Sequence, residues 1–214
     1  MPTHHDALKW TLLTPIMRLL DPLRRRRVAR AIAALAERVP LTPTTRVLDV
    51  GCGTGTVLTA LRPYGCQLTA AEPTRRMLDV VRRRFPEVRA LEEPAHAMPS
   101  VADHSQDVVI VSAMLHGLPP AYRREVYREL SRVTRGVVAV LDYHANRSWL
   151  VAAAELAEGG DYFRFVRVVD AELREAFPEV TTVRLGSIES LYLCAVAAGP
   201  SPSAPGCAAP ESAS

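Results

Sequence analysis

Residues 46–55 read Arg-Val-Leu-Asp-Val-Gly-Cys-Gly-Thr-Gly, and the rest of the chain is organised around this stretch. The run at 47–50, interrupted only by Asp49, is typical of a strand that is buried on both faces of a parallel sheet. Three glycines follow at alternate positions, where they let the backbone turn sharply and let a ligand approach the main chain. From Thr56 the apolar residues recur at helical spacing, so the free N–H groups of a helix would face the turn. The stretch predicts a strand, a glycine turn and a helix that together bind a nucleotide-like ligand.

The spacing of the glycines indicates which ligand fits. A dinucleotide fingerprint is G-x-G-x-x-G, whereas here the glycines alternate and Thr56 stands at the third-glycine position. With Asp49 the stretch reads D-x-G-x-G-x-G. It closely resembles the first motif of class I S-adenosylmethionine-dependent methyltransferases, in the ubiquinone-methyltransferase-like branch that acts on small molecules. The resemblance implies that the turn wraps the methionine part of S-adenosylmethionine and that Asp49 engages its amino group, directly or through water. The cofactor-binding residues that it implies here are Asp49, Gly51, Cys52, Gly53 and Gly55.

Length and composition limit the classes of protein. With 214 residues and 48% hydrophobic content, one domain with a substantial core is expected. The four cysteines form no C-x-x-C pair, so neither a disulfide framework nor a thiolate metal site is indicated. No apolar run approaches a membrane span and the N-terminus lacks a signal-peptide core, so we expect a cytoplasmic enzyme without membrane insertion. The net charge of +3 is too small to imply a nucleic-acid partner, and the oligomeric state stays open.

Apolar runs beyond the glycine turn predict an α/β fold. Six further strands are predicted at residues 67–71, 88–91, 107–111, 137–141, 180–185 and 190–197. Helical spacing between most of them is the alternation that builds a parallel sheet. The resemblance implies a Rossmann-like, doubly wound, seven-stranded sheet that is mostly parallel and has an antiparallel strand near the C-terminus.

The chain divides into three segments. Residues 1–40 are predicted as N-terminal helices and, by the resemblance, as a candidate lid over the substrate; residues 41–198 form the core. Residues 199–214 are rich in Ser, Pro and Ala without periodicity, which predicts a disordered tail. Four local boundaries are also predicted: a helix start at Asp21-Pro22, a helix end at Arg135-Gly136, a helix over 148–157, and a helix over 171–177 capped by Asp170.

Glu72 closes the second predicted strand. Ligands of open α/β sheets lie outside the carboxyl ends of the strands, and a carboxylate there can accept hydrogen bonds from both hydroxyls of a ribose. Glu72 matches the family's ribose-binding acid. The resemblance also places Pro73 beside the cofactor and Met77, near the start of the next helix, beside the adenine.

The segment after the third predicted strand departs from the family. The usual pattern has an aspartate for the adenine amino group, then an alanine, then a leucine-proline. Alignment on Met98-Pro99 puts Pro94 at the aspartate position and Ala95 at the alanine. Glu93 is the nearest carboxylate, so the expected adenine-binding residues are Glu93, Pro94 and Ala95, with Glu93 as the substitute acid.

The stretch after the fourth predicted strand, Ser-Ala-Met-Leu-His-Gly-Leu at 112–118, resembles the family's S-x-x-L-H-H-L. Ser112 is assigned to the cofactor, and His116 is the best polar candidate near the chemistry. An imidazole titrates close to neutrality, so His116 could act as a general base. A role in orienting the loop or the cofactor is the equal alternative. No N/D-P-P-Y/F sequence follows the strand, which argues against methylation of exocyclic or amide nitrogens.

Tyr143 and His144 follow the fifth predicted strand and are acceptor-pocket and catalytic candidates. Residues 159–165 bring aromatic residues and an arginine together in a connection of the kind that carries function. Its position indicates a cover for the acceptor site, with core packing of Phe163 and Phe165 as the alternative.

The sequence therefore predicts a methyltransferase that moves a methyl group from S-adenosylmethionine to an O-, C- or S-nucleophile of a small molecule. Because the methyl donor is already activated, alignment and exclusion of water carry most of the catalysis. A non-catalytic S-adenosylmethionine-binding regulatory protein is the first alternative, since binding needs the same residues. An NAD-dependent oxidoreductase is the second, and Thr56 at the third-glycine position counts against it.

Overall fold

The structure, a computed structural model of the chain, describes residues 24–144 and 162–196. Its helices are α1 (24–36), α2 (Thr56–Leu61), α3 (Arg75–Arg84), α4 (Pro120–Val133) and α5 (Tyr162–Ala176). Its strands are β1 (Arg46–Val50), β2 (Gln67–Ala71), β3 (Arg89–Leu91), β4 (Gln106–Ser112), β5 (Thr134–Tyr143), β6 (Glu179–Arg184) and β7 (Glu189–Ala195). Short 3-10 turns occupy Arg62–Tyr64 and Leu115–Gly117.

The strands form one seven-stranded sheet in the order β3-β2-β1-β4-β5-β7-β6. All neighbours from β3 to β5 are parallel, and β7 runs antiparallel to both β5 and β6. The expected Rossmann-like α/β fold is confirmed, including the antiparallel strand near the C-terminus. The strand order reverses between β1 and β4, and a ligand crevice lies outside the strand ends at such a switch point.

Helices cover both faces of the sheet, which explains the nearly continuous apolar runs of the central strands. On one face Leu48 and Val50 pack with buried residues of α4 and α5. On the other face Val47 and Ile110 pack with α1 and α2. In α1, the buried residues Val28, Ile32 and Leu35 form the apolar stripe that packs against the sheet.

The prediction of a short helix over 171–177 capped by Asp170 is wrong. One helix of 15 residues, α5, runs from Tyr162 to Ala176. Asp170 lies in its interior and pairs with Arg174 one turn later, at 2.8 Å between Oδ2 and Nε. Buried residues at a spacing of four, Phe165, Val169 and Leu173, continue the apolar stripe through the supposed cap. Phe165 therefore belongs to the core, whereas Phe163 is 49% exposed.

The predicted helix end at Arg135-Gly136 is also wrong. Helix α4 ends at Val133, and β5 begins at once with Thr134, whose hydroxyl donates to the carbonyl of Leu130 at 2.6 Å. Gly136 lies within the strand, where a Cβ would come within 2.4 Å of the carbonyl oxygen of Asp107. This glycine permits a close approach between two strands and does not end a helix.

Several predictions lie outside the described residues: the part of the candidate lid before residue 24, the helix start at Asp21-Pro22, the helix over 148–157 and the tail over 199–214. Within the ranges 24–144 and 162–196, no helix is both long and apolar enough to cross a bilayer.

Candidate active site

The glycine turn follows β1 as predicted, and packing fixes its first and third glycines. Gly51 and Gly55 adopt φ values of 67° and 87°, in the left-handed region that favours glycine. A Cβ at Gly51 would lie 2.6 Å from Sδ of Met114, and one at Gly55 would lie 2.6 Å from the ring of Phe85. Around Gly53 the space is open. The turn therefore keeps its middle accessible to a ligand while its ends are held by neighbouring side chains.

Asp49, the residue before the last of β1, carries a buried carboxylate. The residue is only 1% exposed, and neither carboxylate oxygen has a hydrogen-bond partner among the described residues. Burial raises the pKa of Asp49 to about 8; the charge of Arg24 lowers it and that of Glu72 adds to the rise. A buried acceptor without a donor is costly and rare in native proteins. The arrangement fits a cationic ligand group, such as an ammonium, at Asp49.

Glu72 is held in place at the end of β2. Its Oε2 accepts a hydrogen bond from the N–H of Gly53 at 3.1 Å, and its Oε1 accepts one from the N–H of Thr74 at 2.9 Å. The residue is 6% exposed. A carboxylate oxygen can accept a second hydrogen bond, so the oriented pair of oxygens suits a vicinal diol.

The other cofactor candidates lie around this carboxylate. Cys52 is buried inside the turn with its Sγ 3.8 Å from the carbonyl oxygen of Gly53, and burial raises the pKa of its thiol. Pro73, just before α3, is exposed. Met77, in the first turn of α3, is half-buried.

The segment after β3 holds the adenine candidates. Oε1 of Glu93 accepts a hydrogen bond from the N–H of Ser100 at 3.2 Å, while its Oε2 is buried and has no partner among the described residues. Pro94 is half-buried and its carbonyl oxygen accepts from the N–H of Ala97. Ala95 packs into the core on the α4 face of the sheet. Of Glu93, Pro94 and Ala95, only Glu93 has a buried side-chain oxygen without a hydrogen-bond partner among the described residues.

A small cleft opens beyond β4 and β5, beneath α1. Its floor includes Ser112, Ala113 and Tyr143, and its wall includes Arg24 and Arg27. Ala113 has a φ of 50°, in a region that non-glycine residues rarely adopt. Strained backbone of this kind concentrates at binding and catalytic sites.

His116 and Asp142 form a buried pair at this edge of the sheet. Nδ1 of His116 lies 2.7 Å from Oδ1 of Asp142, and the two residues are 8% and 2% exposed. Asp142 also accepts hydrogen bonds from the N–H groups of Leu115 at 3.0 Å and Tyr143 at 2.8 Å. Because an ionised carboxylate only accepts, the proton of a neutral imidazole lies on Nδ1, and its lone pair lies on Nε2.

Aromatic rings surround this pair. The ring of Tyr143 lies 4.8 Å from that of His116 between centroids, and the ring of Phe165 lies 6.3 Å away. His144, by contrast, is directed toward β7. Its Nδ1 lies 3.1 Å from Oγ of Ser190, and its backbone N–H donates to the carbonyl of Ile188. Burial, together with the charge of Arg184, lowers the pKa of His144. The structure therefore brings His116 and Tyr143 together and places His144 beside another strand.

Two residues of this site are absent from the sequence-based set. Asp142 could have been found, since it follows an apolar strand whose carboxyl end must lie near that of β4. Arg24 belongs to the arginine-rich stretch 24–27, whose composition alone is typical of a solvated helix face, and only the packing of α1 on the sheet brings it to the cleft.

Part of the chain is similar to known methyltransferases. Residues 47–136 match the model of a methyltransferase domain family. An uncharacterized methyltransferase of Mycobacterium tuberculosis is 39% identical over 90 residues, covering 42% of this chain and 35% of the relative. The trans-aconitate 2-methyltransferase of Delftia acidovorans is 35% identical over 89 residues, covering 40% and 33%. The chain thus spans about a third of the length of the curated relatives it matches.

Solved structures share the fold. An S-adenosylmethionine-dependent methyltransferase of Thermotoga maritima superposes with a TM-score of 0.65 at 17% identity, covering 89% of this chain and 98% of that one. An O-methyltransferase family protein from Burkholderia thailandensis gives 0.65 at 17% identity, covering 84% and 58%. These structures show that the chain has the Rossmann-like fold, and the family match is to a methyltransferase domain over residues 47–136.

Proposed function

We propose that the chain transfers a methyl group from S-adenosylmethionine to an O-, C- or S-nucleophile of a small molecule bound in the cleft beneath α1. One observation carries this proposal. The buried, unpartnered carboxylate of Asp49 lies at the glycine turn, on the strand next to β4, which ends in the cleft floor at Ser112. A site for a cationic amino group and a site for an acceptor are therefore adjacent.

Each end of the cofactor has residues suited to it. Asp49 and the turn of Gly51, Gly53 and Gly55 would hold the methionine end, and Glu72 would hold the ribose. The free Oε2 of Glu93 is the acceptor proposed for the adenine amino group, with Met77 against the ring. When bound, S-adenosylmethionine supplies a methyl group on an activated sulfonium.

His116 is proposed to take the proton of an acceptor that is not already anionic. Asp142 fixes the imidazole through Nδ1, so that Nε2 is the nitrogen that receives a proton. Tyr143 lies in both the cleft floor and the ring cluster around His116, which suits a contact with the acceptor. His144 supports this end of β5 from the β7 side. A thiolate acceptor would need no base.

The sequence Ser-Ala-Met-Leu-His-Gly-Leu places the chain, as a proposal, in the ubiquinone-methyltransferase-like branch. Two of the similar proteins support acceptors of this size and chemistry: one is a trans-aconitate 2-methyltransferase and the other is in an O-methyltransferase family. The alternating glycines argue against a nicotinamide cofactor.

Calorimetric titration with S-adenosylhomocysteine tests the cofactor site. We expect micromolar binding by the wild type, loss of binding in Glu72→Ala, and unchanged binding in Glu175→Ala, which removes an exposed carboxylate on α5. NAD serves as the competing ligand. Binding of NAD and not S-adenosylhomocysteine would contradict the proposal. Tight S-adenosylhomocysteine binding without methyl transfer to any member of a broad acceptor panel would favour a regulatory binding protein.

A further inference from the structure

The helices on one face of the sheet form a layer that is rich in arginine. Helix α2 lies between the other two, because its Val57 and Leu61 pack with α1 whereas its Leu58 packs with α3. We call this the arginine layer, and it comprises residues 24–36, 56–64 and 75–84. Its arginines, all exposed except half-buried Arg24, are Arg24, Arg25, Arg26, Arg27, Arg30, Arg62, Arg75, Arg76, Arg82, Arg83 and Arg84.

Charge is unevenly distributed between this layer and the rest of the molecule. Eleven of the 26 basic residues but only one of the 23 acidic residues, Asp79, lie in the layer, so the layer carries +10 and the rest of the chain −7. On the other face of the sheet, α4 and α5 together contain seven arginines and five acidic residues. The small net charge of +3 therefore conceals one strongly basic surface.

The protein itself neutralises only part of this charge. Within the described residues, acidic side chains pair with the layer at three points, which are Arg27 with Glu189, Arg62 with Glu87 and Arg82 with Asp79. All three pairs are partly exposed, so each is a weak interaction. Nη1 of Arg84 donates to the carbonyl of Thr54 at 2.7 Å, and a carbonyl does not cancel its charge. The layer thus presents an excess of positive charge to the solvent.

Some of these arginines occupy positions where a cation destabilises its own helix. Arg75 and Arg76 are the first two residues of α3, where the helix dipole favours anions and disfavours cations. Arg26 and Arg30 lie four residues apart on α1, and like charges at this spacing repel each other. A sequence that breaks such local rules without a stabilising gain is expected at functional sites.

The surroundings of the arginines indicate which polyanion suits the layer. Among the described residues the exposed large hydrophobic side chain is Phe163, which lies on α5 and so on the other face. A helix that lies in a membrane surface needs an exposed apolar side, and a single-stranded nucleic acid needs aromatic rings on which its bases stack. A duplex that is bound through its backbone needs only cations spread over a surface, and a guanidinium matches a phosphate with two hydrogen bonds.

We propose that the arginine layer binds the phosphate backbone of a nucleic acid duplex without reading its sequence. This inference goes beyond the proposed function and does not depend on it, because the layer covers a face of the sheet whereas the candidate active site lies at the strand ends. The layer would hold the enzyme on the duplex, and counterion release from the phosphates would drive the binding.

Fluorescence anisotropy with a labelled DNA duplex of about 20 base pairs, two helical turns, tests the proposal. For the full chain we expect a dissociation constant of roughly 1–100 μM near physiological salt, which rises steeply with salt concentration. The variant Arg26→Gln/Arg30→Gln/Arg76→Gln/Arg83→Gln loses four exposed charges of the layer. Its affinity should fall about 10-fold or more, and its salt dependence should become shallower by about 2 to 4 in log–log slope.

The matched control removes four exposed arginines from the other face, in Arg124→Gln/Arg128→Gln/Arg164→Gln/Arg167→Gln. It changes the net charge by the same amount, yet it should bind within about twofold of the wild type because distant charges are screened. Thermal unfolding shows whether both variants are folded. Since the layer variant loses repulsive charges, its melting temperature should equal or exceed that of the wild type.

Other results would contradict the inference. An equal loss of affinity in both variants would mean that the net charge, and not the layer, attracts the duplex. Tighter binding to phosphatidylserine vesicles or to polyglutamate than to the duplex would assign the layer to a lipid surface or an acidic protein. A wild type that does not bind at low salt would show that the layer is only a solvated surface. An RNA duplex of the same length, titrated in parallel, distinguishes the two nucleic acids, and binding of either supports the proposal.

Discussion

At the residue scale, the buried carboxyl of Asp49 makes the stability of the folded protein depend on pH. Its carboxyl is buried among apolar strands, no donor in the described structure reaches it, and its pKa is raised to about 8. In the unfolded chain an aspartate titrates near 4, so the folded state holds this proton more tightly. The stability that the group contributes is therefore fully present below pH 4 and is lost as the pH rises through about 8. Asp49 therefore lowers the stability of the ligand-free protein most at alkaline pH.

We expect Asp49→Asn to stabilise the ligand-free protein at pH 8, on the order of 1 kcal/mol, because no charge is then buried. The gain should shrink as the pH falls toward 5. Thermal or urea unfolding at several pH values measures it. Asp107→Asn is the matched control and should be destabilising, because Asp107 accepts from the N–H of Arg46 and pairs with Arg135. A less stable Asp49→Asn protein at pH 8 would contradict the account.

The role of Asp142 gives a second prediction at this scale. Asp142→Asn keeps one oxygen, which can replace either Oδ2, the acceptor for the N–H of Leu115, or Oδ1, the acceptor for the N–H of Tyr143, and it no longer fixes the His116 tautomer. With an acceptor that must lose a proton, we expect kcat to fall roughly 10²-fold. The affinity for S-adenosylhomocysteine should be unchanged, and turnover of a thiolate acceptor should change little. Equal losses for both kinds of acceptor would show that the pair only holds the loop.

At the element scale, one fully buried arginine joins α4, α5 and the turn that carries His116. Arg123 makes two hydrogen bonds of 2.7 Å to the carboxylate of Glu172 and one of 2.6 Å to the carbonyl of Leu118. Its guanidinium carbon lies 5.3 Å from the centre of the Phe165 ring. The charge pair links α4 to α5, which cover the same face of the sheet.

We expect Arg123→Met to lower the free energy of unfolding by about 3 kcal/mol, because Glu172 then loses its partner in a largely buried place. The double variant Arg123→Met/Glu172→Leu should recover much of that loss. Denaturant unfolding of the two variants and the wild type measures both effects. If the double variant is as unstable as the single one, packing and not the unpaired charge explains the cost.

Element boundaries show where local sequence signals succeed and fail. Strands β4 and β7 follow from their apolar runs, because both strands are buried on both faces and their composition shows it. The prediction starts α5 too late, because an aspartate before a helical pattern resembles a cap. Asp170 instead lies in the middle of the helix, is exposed and pairs with Arg174. Gly136 resembles a helix stop, yet a glycine is needed there because the backbone of Asp107, on β4, comes too close for a Cβ. Local patterns do not distinguish these cases from true boundaries.

At the scale of the whole molecule, the two halves of the candidate site differ in how far sequence predicts them. The cofactor half follows from contiguous motifs, since Asp49, the glycines and Glu72 lie at the ends of adjacent strands. The acceptor half depends on distant segments: Asp142 reaches His116 across 26 positions, and Arg27 reaches Glu189 across 162. Such contacts are set by sheet register and helix packing, which no local pattern encodes.

The outer strands of the sheet have a consequence for self-association. One edge is β3, with only three residues, and the other is β6, which begins with exposed Glu179 and ends with exposed Arg184. A long, flat, apolar edge invites another chain to add a strand, whereas short edges and edges with charged ends discourage it. Each edge of this sheet therefore offers a poor template for growth, which favours a protein that stays dispersed when it is concentrated.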